Sequence, residues 1–289
     1  MSREPTIALE DAELLAHAVW PAAQHVLRLR APRIAARAVP GQFVHAACGA
    51  GIPMRRPLSL LRANRDAGTV EILFKVVGTG TAALARRQPG ETVSLLGPIG
   101  TAFTPSVERP RALLLGGGVG IPPMLFLAES LSARQGEGFR PVVMMGSEVE
   151  FPFACGASAI DLPGVPAEVG AGLLDLECLD VPSRLASLQG YPGCYRGYVT
   201  DLARAWIEAL APPQRAEVEV FACGPHPMLA AAARLAREYE LPCQISLEEY
   251  MACAVGGCAG CTVRVTTPDG PAMKRVCVDG PVFPAHTIF

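Results

Sequence analysis

The sequence predicts a multidomain protein of two architectures, an antiparallel β-barrel followed by a parallel-sheet α/β domain, with a small cysteine-rich module towards the C-terminus. Three observations carry this prediction. Short alternating apolar runs fill the first hundred residues, a rhythm of strand, glycine turn and helix begins at Ala112, and four cysteines crowd into roughly the last forty residues.

The barrel is read from Val26–Leu29, Gly41–His45 and Thr69–Val76, separated by Pro-Gly and Ala-Gly turns. In the last run Val70, Ile72, Phe74 and Val76 share one face, as a half-buried strand requires. Proline and polar residues cluster at Thr104–Pro110 and mark a boundary. Beyond it, Ala112–Leu115 is a strand, Gly116-Gly117-Gly118-Val119-Gly120 a turn and Ile121–Leu131 a helix, the opening of a βα unit. Pro141–Met145 and Glu217–Ala222 read as buried strands, and Met228–Glu240 as a helix. The stretch Phe151–Gly197 shows no regular period. The expected domains are a barrel over residues 1–104, an α/β domain over 105–240 and the cysteine module over 241–289.

A chain of 289 residues, half of them hydrophobic, can bury sizeable cores. With 25 basic against 27 acidic residues, a net charge of −2 and no block of like charge, it offers nothing that tracks a nucleic-acid backbone. No apolar run reaches membrane-spanning length, and Met1-Ser2-Arg3-Glu4-Pro5 does not open an export signal, so a cytoplasmic location is expected. The ten cysteines are then thiols or metal ligands rather than disulfides. Cys48, Cys155, Cys178, Cys194 and Cys243 are scattered and read as small buried hydrophobes.

Cys253, Cys258, Cys261 and Cys277 follow C-x4-C-x2-C-x15-C, the plant-type ferredoxin spacing for a [2Fe–2S] cluster. Small residues between them, Ala254 to Gly257 and Ala259-Gly260, suit a loop that wraps a cluster with its backbone N–H groups turned to sulfur. Zinc is the rival occupant, although only Cys258 and Cys261 form the C-x2-C knuckle that structural zinc usually takes in pairs.

Two further segments suit phosphate. In Val77-Gly78-Thr79-Gly80-Thr81, ahead of an expected helix Ala82–Arg86, backbone N–H groups and a hydroxyl can meet an anion. The turn containing Gly117, Gly118 and Gly120 sits between strand and helix as a nucleotide cradle does, with Pro123 tolerated in the first helical turn. Gly146-Ser147-Glu148 places an acid after the second strand of this domain, which favours NAD and leaves NADP open.

Arg56-Pro57-Leu58-Ser59 resembles the Arg-x-Tyr-Ser flavin motif of the ferredoxin reductase superfamily, with Leu58 in place of tyrosine. The resemblance implies FAD, with Arg56 at the pyrophosphate, Ser59 near the reactive edge of the isoalloxazine, and Pro57, Leu58, Leu73, Phe74, Lys75, Gly80 and Thr81 around the cofactor. Cys223-Gly224-Pro225-His226, about a hundred residues after the glycine turn, resembles the second nucleotide motif of that superfamily. This implies Gly224 and Pro225 as nucleotide contacts and Cys223 beside the nicotinamide; the plainer reading of Cys223 is a packed thiol.

Taken in order, Arg56–Ser59, Gly78–Leu84, Leu96–Gly100, the glycine turn, Ser246–Cys253 and Val276–Phe283 resemble the electron-transfer subunits of class 1B dihydroorotate dehydrogenases. That resemblance implies an FAD and [2Fe–2S] oxidoreductase subunit working between NAD and an FMN-containing catalytic subunit in a heterotetramer of pyrimidine synthesis. Tyr250 stands where that family usually has arginine. An electron-bifurcating or hydrogenase-type reductase subunit is the alternative built from the same modules, and a non-enzymatic zinc-binding interaction protein the alternative of another class. His226, between two prolines, is read as a turn residue. Glu248 and Glu249 are read as structural strand neighbours on opposite faces, and His17, His25, His45 and His286 as lacking partners at metal-ligand spacing.

Overall fold

The computed structural model describes residues 6–289; Met1 to Pro5, read above for an export signal, lie outside the described residues. The chain forms two compact units. One runs through Ala102 and includes Glu248–Val282; the other comprises Phe103–Leu247 and Phe283–Phe289.

In the first unit six strands close into an antiparallel barrel: β1 (Ala8–Trp20), β2 (Gln24–Arg30), β3 (Phe43–Ala46), β4 (Arg56–Asn64), β5 (Thr69–Lys75) and β6 (Thr92–Ile99), in the order β1-β2-β5-β4-β3-β6. Closure leaves no unpaired edge. Leu14, Leu27, Leu29, Leu60, Ile72 and Leu95 fill the interior without exposure. Two short helices, α1 (Pro32–Ala35) and α2 (Thr79–Leu84), lie in its connections.

Three expectations change here. β1 and its hairpin were invisible because the turn to β2 uses Ala22 and Ala23, both at positive φ (58° and 55°), where Asn-Gly would have signalled it. β5 is buried on both faces from Val70 to Phe74, not on one. Even Glu71 is only 7% exposed, paired with Arg28 at 2.6 Å and Arg62 at 3.4 Å. The helix after Gly78 begins at Thr79, three residues earlier than expected, and ends at Leu84.

The cysteine module joins this unit. Its hairpin of β14 (Thr262–Thr267) and β15 (Gly270–Arg275) follows the cysteine loop. The segment after it is sewn to the end of β6: Thr101 N–H donates to the Gly280 carbonyl at 2.6 Å and its hydroxyl to the Val282 carbonyl at 3.2 Å.

The second unit is a six-stranded sheet flanked by helices. Along the chain come β7 (Arg111–Gly117), α3 (Ile121–Ala133), β8 (Val142–Gly146), β9 (Cys155–Ala157), β10 (Ala171–Leu173), α4 (Leu174–Glu177), β11 (Ser183–Ala186), α5 (Val199–Ala209), α6 (Pro212–Ala216), β12 (Val218–Cys223), α7 (His226–Glu238), β13 (Cys243–Ser246), β16 (Val282–Pro284) and α8 (Ala285–Ile288). The strand order is β11-β8-β7-β12-β13-β16, and the β11-β8, β8-β7, β7-β12 and β12-β13 pairs are parallel. Continuous apolar strands such as Leu113-Leu114-Leu115, all unexposed, fit a sheet covered on both faces. Helix α5 buries Val199, Leu202, Ala203 and Trp206 and α7 buries Leu229, Ala232, Ala233 and Ala236, the i, i+3, i+4, i+7 stripe of surface helices.

The stretch Phe151–Gly197 supplies the β9-β10 hairpin and the edge strand β11, too short to register as periodic patterns. Cys155 and Cys178, expected to be buried, are exposed, because they sit on this insertion and not in a core. Glu248 and Glu249 follow β13 in irregular backbone, so strand alternation does not govern them.

The barrel also buries a histidine at a cost. His45, opposite Pro57 and Leu96, is 1% exposed, and neither ring nitrogen has a hydrogen-bond partner among the described residues. Burial, helped by the Arg55 charge, pushes its pKa down to about 4; the Arg55 backbone carbonyl opposes the shift without reaching hydrogen-bonding geometry. A base depressed in the folded state contributes stability above its unfolded pKa of about 6.5, and that contribution is lost as pH falls towards the folded value. The urea midpoint should therefore drop between pH 7 and pH 5 by an amount on the order of 1–2 kcal/mol in stability. His45→Leu should show a shallower drop over the same window, and identical slopes would refute the assignment.

Candidate functional site

Arg56 opens β4, and its guanidinium folds back so that Nη1 donates to the Met54 carbonyl at 2.8 Å and to the Arg55 carbonyl at 3.2 Å. No carboxylate pairs with it among the described residues. The Val77–Thr81 turn lies against the same group: a Cβ on Gly80 would stand 2.8 Å from Arg56 Nε. Glycine at 80 thus lets a fixed positive charge and the backbone of the turn lie side by side, an arrangement complementary to a diphosphate.

Thr81 has a different task from the one expected. Its hydroxyl accepts from Val77 N–H at 3.0 Å and Gly78 N–H at 3.2 Å and donates to the Gly78 carbonyl at 3.1 Å. It closes the turn from inside and has no hydrogen left for an anion. Leu73 and Phe74 are 3% and 2% exposed, so β5 offers a flavin its backbone and the half-buried Lys75 but not those side chains. In β4 the register against β3 puts Arg56 and the buried Leu58 on one face, and Pro57 and Ser59, both half-buried, on the other.

Phe74 is backed by a contact that spacing alone did not reveal. His25 stacks on it with ring centroids 5.4 Å apart and planes 13° apart, and His17 Nε2 lies 2.8 Å from His25 Nδ1. The two histidines are equidistant in sequence from the Pro21 end of the hairpin turn, a signal available only once that hairpin is known. Burial and the neighbouring His17 hold the His25 pKa below its ordinary value.

The four cysteines of the C-terminal loop are neighbours, Cys277 lying close enough to Cys253 to feel its charge. Cys253 and Cys258 interact through their side chains, as do Cys261 and Cys277. The Val255 and Cys258 backbone N–H groups, aimed at Cys253 sulfur, push its pKa down to about 6, which favours thiolate. Burial pushes Cys277 up to about 11, while its backbone N–H donates to Cys261 Sγ at 3.4 Å. Ala254 and Ala259 adopt positive φ (58° and 55°), as does Gly256 (81°), and these left-handed residues bend the loop around its sulfurs. Among the described residues no three His, Cys, Asp or Glu side chains converge to hold a single ion.

In the second unit the strand order reverses between β7 and β12, and the crevice at their carboxyl ends is where such sheets bind ligands. The glycine turn and the Cys223–Pro225 segment meet there. A Cβ on Gly120 would lie 2.4 Å from the Cys223 carbonyl and from Gly224 N, and one on Gly117 would lie 2.3 Å from Met228 Sδ and 3.3 Å from Pro225 Cδ. Gly118 has open space around it but a φ of 54°. Cys223 is the last residue of β12 and 7% exposed, Gly224 is half-buried and Pro225 exposed. His226 packs edge-on against Phe289 at 4.9 Å, consistent with a structural residue.

A closed antiparallel barrel, a parallel α/β sheet and a cysteine loop define an oxidoreductase of ferredoxin-reductase architecture. Residues 8–103 match the oxidoreductase FAD-binding domain, and residues 248–289 match the iron–sulfur cluster binding domain of dihydroorotate dehydrogenase B. The chain belongs to the electron transfer subunits of dihydroorotate dehydrogenase B (NAD(+)). It is 31% identical over 280 residues to the subunit from Desulforamulus reducens, covering 96% of this chain and 97% of that one, and 38% identical over 255 residues to the subunit from Bacillus caldolyticus, covering 86% of each. Its fold is shared with a chain of the NADH-dependent reduced ferredoxin-NADP oxidoreductase, with TM-score 0.74, 24% identity and coverage of 97% and 90%. It is also shared, with TM-score 0.57, 19% identity and coverage of 82% and 92%, with a ferredoxin NADP+ reductase from Neisseria gonorrhoeae. No helix is long and apolar enough to cross a membrane among the described residues.

The cysteine pairing gives a direct test. Cys258→Ser and Cys261→Ser each remove one member of a different pair, and each should lower iron and acid-labile sulfide in the purified protein. Cys178→Ser, at an exposed thiol outside the loop, should leave both unchanged. Full iron and sulfide content in both loop variants would remove these residues from the ligand set.

Proposed function

We propose that this chain passes electrons between NAD and the FMN of a separate dihydroorotate dehydrogenase catalytic subunit, through FAD held at Arg56 and a [2Fe–2S] cluster held by Cys253, Cys258, Cys261 and Cys277. The complex is a cytoplasmic heterotetramer of pyrimidine biosynthesis. The observation that carries the reading is that the segment holding four thiols at ferredoxin spacing belongs to the same compact unit as the flavin barrel. A two-iron cluster takes two ligands on each iron, whereas structural zinc takes four about one centre. The relatives, named as NAD(+)-linked electron transfer subunits, support the same reading.

Three functional modules follow: a flavin barrel over residues 1–104, a nucleotide domain over 105–240 and a cluster module over 241–289. Arg56 supplies charge to the FAD pyrophosphate, Gly80 gives the backbone access to it, and Thr81 keeps the turn in shape. Ser59 and the backbone of Leu73, Phe74 and Lys75 border the ring system, with Pro57 and Leu58 fixing the strand. Gly117, Gly118, Gly120, Gly224 and Pro225 cradle the dinucleotide, and Cys223 ends the strand beside the nicotinamide. Flavin exchanges hydride with nicotinamide and single electrons with an iron–sulfur cluster, which is the chemistry these bound groups supply. The bifurcating neighbour shares the architecture, but at 24% identity it supports the fold and not its partner.

Arg56→Ala should lose a charge-assisted contact of roughly 1.5–3 kcal/mol, a ten- to hundredfold loss in FAD affinity. Retention of FAD through gel filtration measures it, and full retention would overturn the role given to Arg56. Mixing the purified chain with the FMN-containing subunit should give a stable assembly in which NAD⁺ reduction depends on dihydroorotate. Turnover of dihydroorotate by this chain alone, or failure of the two to assemble, would count against the partner.

A further inference from the structure

The hairpin after the cysteine loop reaches back to that loop through one side chain. Arg275 is the last residue of β15, paired with Thr262 across the hairpin, and its backbone opens the turn that carries Cys277. That turn is closed from both sides. Val278 N–H and Asp279 N–H donate to the Arg275 carbonyl at 3.1 and 2.8 Å, and Arg275 N–H donates to Asp279 Oδ2 at 2.8 Å. The guanidinium leaves the turn for a segment nineteen residues back along the chain, where Nη1 donates to the Gly256 carbonyl at 2.8 Å. Asp279 Oδ2 stands behind it, 3.7 Å from Nε, and Lys274 Nζ lies 3.6 Å from the other carboxylate oxygen. The contact is packed as well as polar: Gly256 has a φ of 81°, and a Cβ there would stand 2.5 Å from Val278 Cγ2 and 3.4 Å from Arg275 Nη1. Glycine lets the Cys253–Cys258 segment pass this close to the Cys277 turn.

What the contact fixes is the direction of a peptide. In a planar trans peptide the C=O of one residue and the N–H of the next point opposite ways. A donor on the Gly256 carbonyl therefore turns the Gly257 N–H to the other side of the loop. That N–H joins those of Val255 and Cys258 at the Cys253 sulfur, and the Gly256 N–H is directed at Cys277. No cationic side chain is among the causes that act on either sulfur. Arg275 meets the loop from its carbonyl side, so its influence on the thiols passes through the peptides it holds.

We infer that Arg275 is a positioning residue for the iron–sulfur cluster: by holding the Gly256 carbonyl it aims the backbone N–H groups of Gly256 and Gly257 at the cluster sulfurs, and so raises the reduction potential of the cluster. The inference rests on the cluster reading given above. The loop suits that group, with four thiols at ferredoxin spacing and backbone N–H groups turned to sulfur. Hydrogen bonds to sulfur stabilise the more negative, reduced state of such a cluster, so releasing these peptides lowers its potential. The same contact ties the Cys253–Cys258 segment to the Cys277 turn, which keeps ligands from two parts of the chain in one arrangement.

The test is a dye-mediated redox titration of the purified chain with FAD and cluster bound, followed through the electron paramagnetic resonance signal of the reduced cluster. Arg275→Ala should cut the ratio of reduced to oxidised cluster at a fixed poise by about tenfold, the scale of one hydrogen bond, which for a one-electron couple is a fall of about 59 mV. Arg275→Lys, which keeps a donor within reach of the Gly256 carbonyl, should recover most of that shift. Lys274→Ala removes an equal charge from the neighbouring position without touching Gly256 and should move the potential far less. No shift in Arg275→Ala, or equal shifts in Arg275→Ala and Lys274→Ala, overturns the positioning role while the cluster stands. Should Arg275→Ala fail to retain iron and sulfide, Arg275→Met, which keeps an apolar stem but no donor, is read in its place. Loss of the cluster from both makes Arg275 a folding residue and overturns the inference. A wild-type chain without iron and acid-labile sulfide would remove the cluster reading itself.

Discussion

Position 120 can carry no side chain. The glycine turn after β7 and the segment after β12 lie about a hundred residues apart in the chain, and they meet backbone to backbone with no room for one more carbon. Everything the second unit can do with a nucleotide depends on that approach, because it brings the turn's N–H groups and the end of β12 to the same crevice. Gly117 and Gly224, each crowded by Met228, extend the same constraint to the start of α7. The first unit repeats the device on a smaller scale, with Gly80 against the Arg56 guanidinium and Thr81 spending its hydroxyl to hold the turn closed.

The cysteine loop solves a different problem, that of stabilising negative charge on sulfur at the surface. It does so with backbone N–H groups and left-handed residues, and with no cationic side chain among the causes that lower the Cys253 pKa. The two thiol pairs differ in burial, Cys253 and Cys258 towards solvent and Cys261 and Cys277 inside. Different surroundings at two sites of a bound cluster are a general means of deciding where an added electron resides.

The sequence announced those parts whose chemistry is local. The cysteine spacing, the glycine turn and the buried strands Ala112–Leu115 and Glu217–Ala222 could be read because spacing or continuous hydrophobicity is the signal itself. Features that depend on pairing could not. β1 lay hidden behind an Ala22-Ala23 turn, the His17–His25 contact exists only through that hairpin, and β11 is four residues long with no period of its own. Thr81 was assigned to phosphate because a hydroxyl in a glycine-rich turn can point either way, and only the hydrogen bonds to Val77 and Gly78 reveal its direction. The exposed Cys155 and Cys178 show the limit of composition, since a thiol is as soluble on an insertion as it is compatible with a core.

The seam between Thr101 and the Gly280–Val282 segment has a mechanical meaning. An electron carrier tethered by a flexible linker must find its donor by diffusion, and its transfer rate follows an effective concentration set by linker length. Here the cysteine loop is packed into the barrel's own unit, and the strand end that carries the seam continues directly from the last cysteine. The separation between Arg56 and the cysteine loop is therefore a property of the fold, like the spacing of two contacts on a circuit board. A carrier held this way does not depend on the wandering of a linker to meet its donor.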